Sequence, residues 1–416
     1  MSSNLMGSIA MSDSSKYAGI TNKLGLSPME APQLVGHKQG GLFIGMPKEK
    51  TFQEHRVSLT PYDVKIICDN GHRVLIESGT GRESYYKDHD YSEAGAEITD
   101  NVREVFQADI LLKVAPPTID EIELLKNDQT LFSPIHLPTL TKEYIIKLMN
   151  KKITAVAYEY LKDVAGSYPF VRSMSEIAGS SVILIAAEYL SNSKQGKGLL
   201  LGGIAGVPPS KVVILGAGVV GMYAAQAAIG LGASVTVFDN NIYKLMRLQS
   251  HLGFRVFTSV ISPAILDKEM KNADVVIGAI HSGSGQTPLI VSEEMVSHMK
   301  PGSVIIDVSI DQGGCFETSE ITTHDKPIFV KHDVIHYCVP NIASRVSRTA
   351  SQAISNILSP LILRTQELGG IKNLLHEDVG FRHGAYIYKG NLVNAHLSEK
   401  FKIKMSNLEL LFSSNL

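Results

Sequence analysis

The run KVVILGAGVVGMYAAQAAIGLGASVTVFD, residues 211–239, constrains the fold more than any other part of the chain. It sets Gly216, Gly218 and Gly221 as G-x-G-x-x-G between an apolar strand and an Ala-rich helix, and a second strand then ends in Asp239. That order predicts a βαβ unit built to hold a dinucleotide. Gly216 permits the tight turn, Gly218 lets a pyrophosphate approach the backbone, and Gly221 lets helix and strand pack closely. The helix N-terminus adds free N–H donors and a partial positive charge for the phosphates. Asp239 would accept hydrogen bonds from ribose hydroxyls and repel a 2′-phosphate, which favours NAD over NADP. A turn that uses its glycines only for packing is the alternative, and the register of strand, glycines, helix and acid argues against it.

Around this unit the chain reads as α/β. From residue 42, the runs GLFIGMP, HRVLIES, AEIT, ADILLKVAPP, QTLFSPI and KITAVAYEYL alternate with helical segments. One of these, SLTPYDVKIICDNG, sets Val64, Ile67 and Cys68 on one face. Strand–helix–strand order with apolar strands predicts a mostly parallel sheet covered on both faces. Residues 175–193 read as one long, largely buried helix. After the loop GGIAGVPPS come six more strand candidates: KVVILG, SVTVFD, RVFTS, ADVVIGA, SVIIDVSI and PIFVKH. Beyond residue 345 the pattern turns helical, with Ile354, Ile357, Leu358 and Leu361 at helical spacing. At 416 residues, two domains are expected. The order suggests a first domain of 41–170 interrupted by a nucleotide-binding domain of 171–345 and completed by 346–416. Residues 1–40 are expected to be a mobile or loosely docked extension.

The bulk properties narrow the class. Formal charge is −2 with no basic block, so nucleic acid and an anionic membrane are not expected partners. The three cysteines, Cys68, Cys315 and Cys338, form no CxxC pair and no metal-spaced ladder, which suits a reducing, cytoplasmic setting. The longest apolar runs, such as VILIAAEYL, are about half the length needed to span a bilayer.

A dehydrogenase also needs a substrate anchor and a proton-transfer group. Arg56 in EHRVSLTP has the planar fork that suits a carboxylate, although an arginine there is more often in a surface ion pair. Lys113 closes the apolar run ADILLKV, where a charge is costly without a partner, and a lysine snorkelling from a strand end is the alternative. His136 in SPIHLP has the titration range of a general acid–base group, and a satisfied core histidine is the alternative. All three stand near the C-terminal ends of successive strand candidates, where open α/β sheets bind ligands.

These residues belong to motifs that occur in a fixed order: EHRVSLTP, LLKVAPP, IHLP, SMSEIAG, GAGVVG with FDNN, IDQGGCFETS and HYCVPNI. Together they resemble the alanine dehydrogenase family, related to the nucleotide-binding part of proton-translocating transhydrogenase. The resemblance covers about residues 42–360. It implies two Rossmann-like, doubly wound parallel-sheet domains with the active site in the cleft between them, usually assembled as a hexamer. It also implies NAD-dependent, reversible deamination of L-alanine to pyruvate and ammonia. Arg56 and Lys113 match the substrate-binding positions and His136 the acid–base histidine. Asp311 matches the aspartate that positions water or ammonia and the cofactor. Asp239 matches the ribose acid, and Ser175, Lys244 and Asn341 fall at positions near the cofactor. The loops IHSGSGQTP and IASRVSRTAS, and KVAPP in place of KVKEP, depart from the family pattern without removing a proposed catalytic side chain. A saccharopine-type amino-acid dehydrogenase and a non-catalytic transhydrogenase-like NAD(H)-binding subunit are the alternatives. Within VIIDVSIDQGGCFET, residues 304–318, Asp307 is expected to be a structural carboxylate bound to local backbone N–H groups. Cys315, with no basic neighbour, is expected to be a small buried side chain. Asp311, at the strand's exit, is expected to carry the chemistry.

Overall fold

Short apolar runs become strands wherever Gly, Pro or Asn closes them and an amphipathic helix follows to cover the face. The computed structural model describes residues 41–51, 53–137, 140–194, 196–253, 255–282 and 286–413. The expected N-terminal extension lies outside them, as do 283–285 of the divergent loop.

The first six strands are β1 (Phe43–Met46), β2 (Arg73–Glu77), β3 (Glu97–Thr99), β4 (Ile110–Leu112), β5 (Thr130–Phe132) and β6 (Thr154–Val156). They pair in parallel in the order β6-β5-β4-β1-β2-β3. A second sheet holds β7 (Lys211–Leu215), β8 (Ser234–Phe238), β9 (Phe257–Ser259), β10 (Val275–Gly278), β11 (Val304–Asp307), β12 (Ile328–Lys331) and β13 (Val334–Tyr337) in the order β12-β13-β11-β10-β7-β8-β9. All its pairs are parallel except β12–β13 at the edge.

Each sheet starts in its middle. The chain adds strands on one side of β1, then returns to the other side with β4, and it repeats this around β7 and β10. Both sheets are therefore doubly wound. Each has a topological switch point, between β1 and β4 and between β7 and β10, where a crevice opens at the carboxyl ends of the strands.

Alternate residues of the inner strands feed cores on opposite faces, the mark of a sheet covered twice. Ile44, Ile110 and Leu112 join the core of α1 (Pro61–Asp69), whereas Leu111, Leu131 and Ala155 join the other. In the second sheet Ile214, Ile277 and Ile306 face one core, and Val213, Val276 and Ile305 face the other.

The long helix α2 (Pro169–Leu190) starts six residues before the expected 175, because Pro169 at its first turn has no N–H to lose there. Phe170 packs in the first sheet's core, and Val182, Ile183 and Ala186 pack in the second's, so one helix runs through both. It is long and apolar enough to cross a membrane by length and composition. The apolar runs within it stay short, since Ser, Glu and Gly interrupt them without ending the helix, and it packs into both cores.

The chain returns to the first sheet through α5, once α3 (Val219–Gly230) and α4 (Ile242–Leu252) have covered the second; α5 spans Ser347–Glu367. It buries Ile354, Leu358 and Ile362 in the first core. After it come β14 (Ala385–Tyr388) and β15 (Asn391–Leu392), which extend the first sheet antiparallel beyond β6. Together with β13, these strands were not among those expected. β13 follows β12 after only two residues, and β14 and β15 lie beyond residue 345, where the pattern turns helical. Lys389 and Gly390, both at positive φ, make the two-residue turn that twists β14 back onto β15.

Candidate functional site

At the first switch point, the loop after β1 brings Glu49, Glu54 and Arg56, and the end of β4 brings Lys113. Residues 344–355 stitch that loop in place. Ser344 Oγ accepts the His55 N–H and donates to Gln53 O, both at 2.9 Å. Ser351 and Ser355 hydroxyls accept the N–H groups of Val57 and Thr60 at 2.9 Å.

Arg56 is buried, not in a surface pair. Its Nε and Nη2 donate to the two oxygens of Glu54 at 2.7 and 2.5 Å, a two-pronged fork. Among the described residues, its Nη1 meets only the weak acceptor Met174 Sδ, at 3.2 Å. Burial alone would raise the Glu54 carboxyl, but the Arg56 guanidinium and the Asn341 amide outweigh it and hold the group below its ordinary range.

Lys113 does not snorkel. Its side chain has 0% exposure, and its ammonium donates to Glu49 at 2.9 Å and Glu121 at 3.3 Å. The neighbouring Val114 N–H donates to Glu49 Oε1 at 2.5 Å, and Tyr158 Oη donates to Lys113 O at 2.8 Å. Burial raises Glu49 above the usual carboxylate range despite the pull of Lys113.

His136, after β5, is exposed and stands on left-handed backbone at φ 52°. From the second sheet, Asp311 follows β11 in a 3₁₀ turn, and Asn341 follows β13 at φ 57°. Asn341 joins the two halves: its side-chain Nδ2 donates to Glu54 Oε2 at 2.9 Å and its backbone N–H to Asp311 Oδ1 at 3.3 Å. Asp311 has an accessible edge yet is ringed by protein. Desolvation raises its carboxyl, opposed by His136, the Asn341 N–H and Arg56. The structure thus brings Arg56, His136, Asp311 and Asn341 to one place, with Lys113 beside them through Glu49.

Four residues before Asp311, Asp307 is fully buried and saturated with local donors. It accepts from Ser309 N, Cys315 N and Ser319 Oγ at 2.9, 2.9 and 2.7 Å. Cys315 is buried, and desolvation pushes its thiol well above the ordinary range.

The second switch point holds the glycine turn. Gly216 has φ 107°, which only glycine adopts without strain. A Cβ on Gly221 would lie 1.8 Å from Gly216 O, whereas one on Gly218 would meet nothing within 4 Å. Asp239 is buried; its Oδ2 accepts the Ala217 N–H at 2.8 Å and its Oδ1 the Asn241 N–H at 2.7 Å. Lys244 Nζ lies 3.9 Å from Asp239 and is partly exposed. Ser175, half-buried on α2, follows Met174, the residue that touches Arg56. The open space at Gly218, the free amides at the start of α3 and the acid at the end of β8 fit a dinucleotide.

The two glycines separate by experiment. Gly218→Ala should leave the melting temperature unchanged and, if this turn holds a dinucleotide's pyrophosphate, weaken NADH binding at least about tenfold, ~1.4 kcal/mol. Gly221→Ala should lower the melting temperature itself. Calorimetric binding and thermal melts check both, and equal effects from the two would refute the assignment of Gly218.

Sequence reasoning missed the acidic partners Glu49, Glu54 and Glu121, and also Glu159, whose carboxyl accepts the Ile135 N–H beside His136 at 2.7 Å. Glu159 alone had a local signal, a carboxylate inside the apolar run AVAYEYL, of the kind that singled out Lys113 in ILLKV.

Two family models match the chain: the alanine dehydrogenase/PNT N-terminal domain at residues 45–178 and the C-terminal domain at residues 182–395. Alanine dehydrogenase 2 of Staphylococcus aureus (strain USA300) is 38% identical over 367 residues, covering 88% of this chain and 98% of that protein. A solved L-alanine dehydrogenase superposes with a TM-score of 0.82 at 37% identity, over 86% of this chain and 99% of the other. A transhydrogenase from Sinorhizobium meliloti superposes with a TM-score of 0.72 at 25% identity, over 85% of this chain and 99% of the other.

Proposed function

This chain belongs to the alanine dehydrogenase/PNT family, and on that premise we propose that it catalyses the reversible NAD-dependent deamination of L-alanine to pyruvate and ammonia. One observation carries the reading. Arg56 and His136 from one sheet lie near Asp311 from the other, and Asn341 bonds both Glu54 and Asp311, a grouping that a module for cofactor binding alone does not need.

Glu54 takes one edge of the Arg56 fork, so the Nη1 edge, facing only a thioether, is the edge for a substrate carboxylate. Lys113 spends two of its three donors on Glu49 and Glu121, leaving one for substrate oxygen. The Gly216–Gly221 turn and Asp239 would hold NAD, with Ser175, Lys244 and Asn341 near it; when bound, NAD supplies the hydride acceptor for Cα. His136 then takes a proton from the water that attacks the imine carbon, and later returns one to the departing ammonia. Asp311 orients that water and stabilises the imidazolium as it forms. Fixed charges hold Cα in place, so little is lost to reorganisation during the reaction.

The assay is NADH formation with L-alanine and a panel of amino acids. Turnover of lysine or saccharopine but not alanine would overturn the reading. NADH binding with no turnover of any amino acid would favour a transhydrogenase-like subunit.

Coenzyme choice has its own test. Asp239→Asn should lower the preference for NAD over NADP by roughly tenfold or more, since a buried carboxylate repels a 2′-phosphate. An unchanged kcat/KM ratio for the two coenzymes would sink that role. The three cysteines are free thiols, consistent with the cytoplasmic setting that goes with this proposal, and a hexamer is the assembly that the family resemblance implies.

A further inference from the structure

The His136 turn is backed by a carboxyl group that the proposed mechanism does not use. Glu159, in the 3₁₀ turn after β6, accepts the Ile135 N–H on Oε1 at 2.7 Å. The amide of His136 and that of Glu159 itself also face this carboxyl and favour its ionised form. Its other oxygen, Oε2, is buried without a hydrogen-bond partner among the described residues. His136 is one of the few non-glycine residues on left-handed backbone, a conformation that persists only when its surroundings enforce it.

We propose that Glu159 is a positioning residue: from behind the turn, its carboxylate gathers the Ile135 and His136 amides and so fixes the strained backbone that presents the imidazole to Asp311. The proposal deepens the functional reading above and rests on it for its kinetic test.

The surroundings make this support depend on pH. Burial raises Glu159 to about 7, against the three amides that pull it down. The other titratable groups facing it are phenols: Tyr144 from the helix Lys142–Asn150, Tyr158 and Tyr160 from its own turn, and Tyr386 from β14. Burial raises all four phenols, so they are neutral where Glu159 titrates, and none offers it a cation. As pH rises through neutrality, Glu159 becomes the stronger, anionic acceptor for these amides, and the turn tightens around His136. A glutamine keeps the acceptor for Ile135 but turns an N–H donor toward the remaining amides, and it does not titrate.

The test compares wild type, Glu159→Gln and Glu159→Ala. In wild type, protonation of Glu159 adds to the loss from the catalytic groups, so log kcat/KM should rise more steeply through neutrality than those groups alone give. In Glu159→Gln that extra steepness should vanish, with activity close to wild type at low pH and about tenfold lower at high pH. Glu159→Ala should lower kcat further, with NADH affinity unchanged in both variants. A Glu159→Gln profile parallel to wild type, or a Glu159→Ala enzyme with normal kcat, would overturn the proposal. The amide resonances of Ile135 and His136 provide a readout independent of turnover. They should titrate together near neutrality in wild type and lose that titration in Glu159→Gln. If no amino acid is turned over, these shifts still decide whether Glu159 governs the turn, and pH-invariant shifts would overturn it.

Discussion

Asp311→Asn should lower alanine turnover by roughly two to four orders of magnitude, the range a positioned proton-handling group contributes. NADH affinity should stay close to wild type. The substitution preserves shape, and the new amide oxygen can still accept the Asn341 N–H that Asp311 takes at 3.3 Å. What it removes is the negative charge beside His136. His136→Ala should cost turnover on the same scale, and the double variant should be little worse than either single one if, as proposed, the two groups handle the same protons. Steady-state kcat and KM for alanine, with calorimetric binding of NADH, check both. If either single variant kept near-normal turnover, its assigned role would be wrong. The pH dependence has a definite sign. Burial raises the Asp311 carboxyl, so it takes up its proton at a higher pH than an ordinary aspartate, and its share of the activity is lost as pH falls through that raised value.

Lys113→Met should have the largest effect on stability. The ammonium lies at 0% exposure between two carboxylates, and removing one partner of a buried ion pair costs about 3–5 kcal/mol. The loss comes mainly from stranding Glu49 and Glu121. Glu49→Gln and Glu121→Gln added to Lys113→Met should therefore recover most of the melting temperature without recovering activity. Glu49 is already raised by burial, and without the ammonium it would take up a proton more readily. The deficit should narrow as pH falls and widen as it rises. In wild type the Lys113 pKa is itself raised, so its contribution is fully present below the ordinary lysine range and is lost only as pH climbs through the raised value. Denaturant melts across that span check this. A triple variant no more stable than Lys113→Met would show that the carboxylates are not what is stranded.

Much of the fold could be read from order and spacing. The alternation of apolar runs with helical segments marked two parallel sheets, and the strand candidates of the βαβ unit coincide with β7 and β8. Of the missed strands, β13 follows β12 with no helix between them, β14 and β15 lie where the pattern turns helical, and all three pair with the edge that a neighbouring strand offers. The site divides in the same way. Lys113 and His136 stood out because a polar side chain at the end of an apolar run is locally anomalous, and Arg56 because its planar fork in EHRVSLTP suits a carboxylate. Their partners did not stand out, since a glutamate in MPKEK or QEHR looks like any solvated charge.

What the sequence determined by itself is what short-range geometry dictates. Three glycines at fixed spacing make one kind of turn, an acid at the next strand's end lies beside it, and Asp311 leaves its strand at the sheet's carboxyl edge. Tertiary structure alone decided which charges meet. Glu49 reaches Lys113 because β4 pairs with β1 across the switch point, and Asn341 reaches Glu54 although 287 positions separate them. It also decided that Asp307 is saturated by backbone donors while Asp311, four residues on, keeps an open edge. Turns are set by neighbours along the chain, whereas the cost of burying a charge is settled only by what the fold places against it.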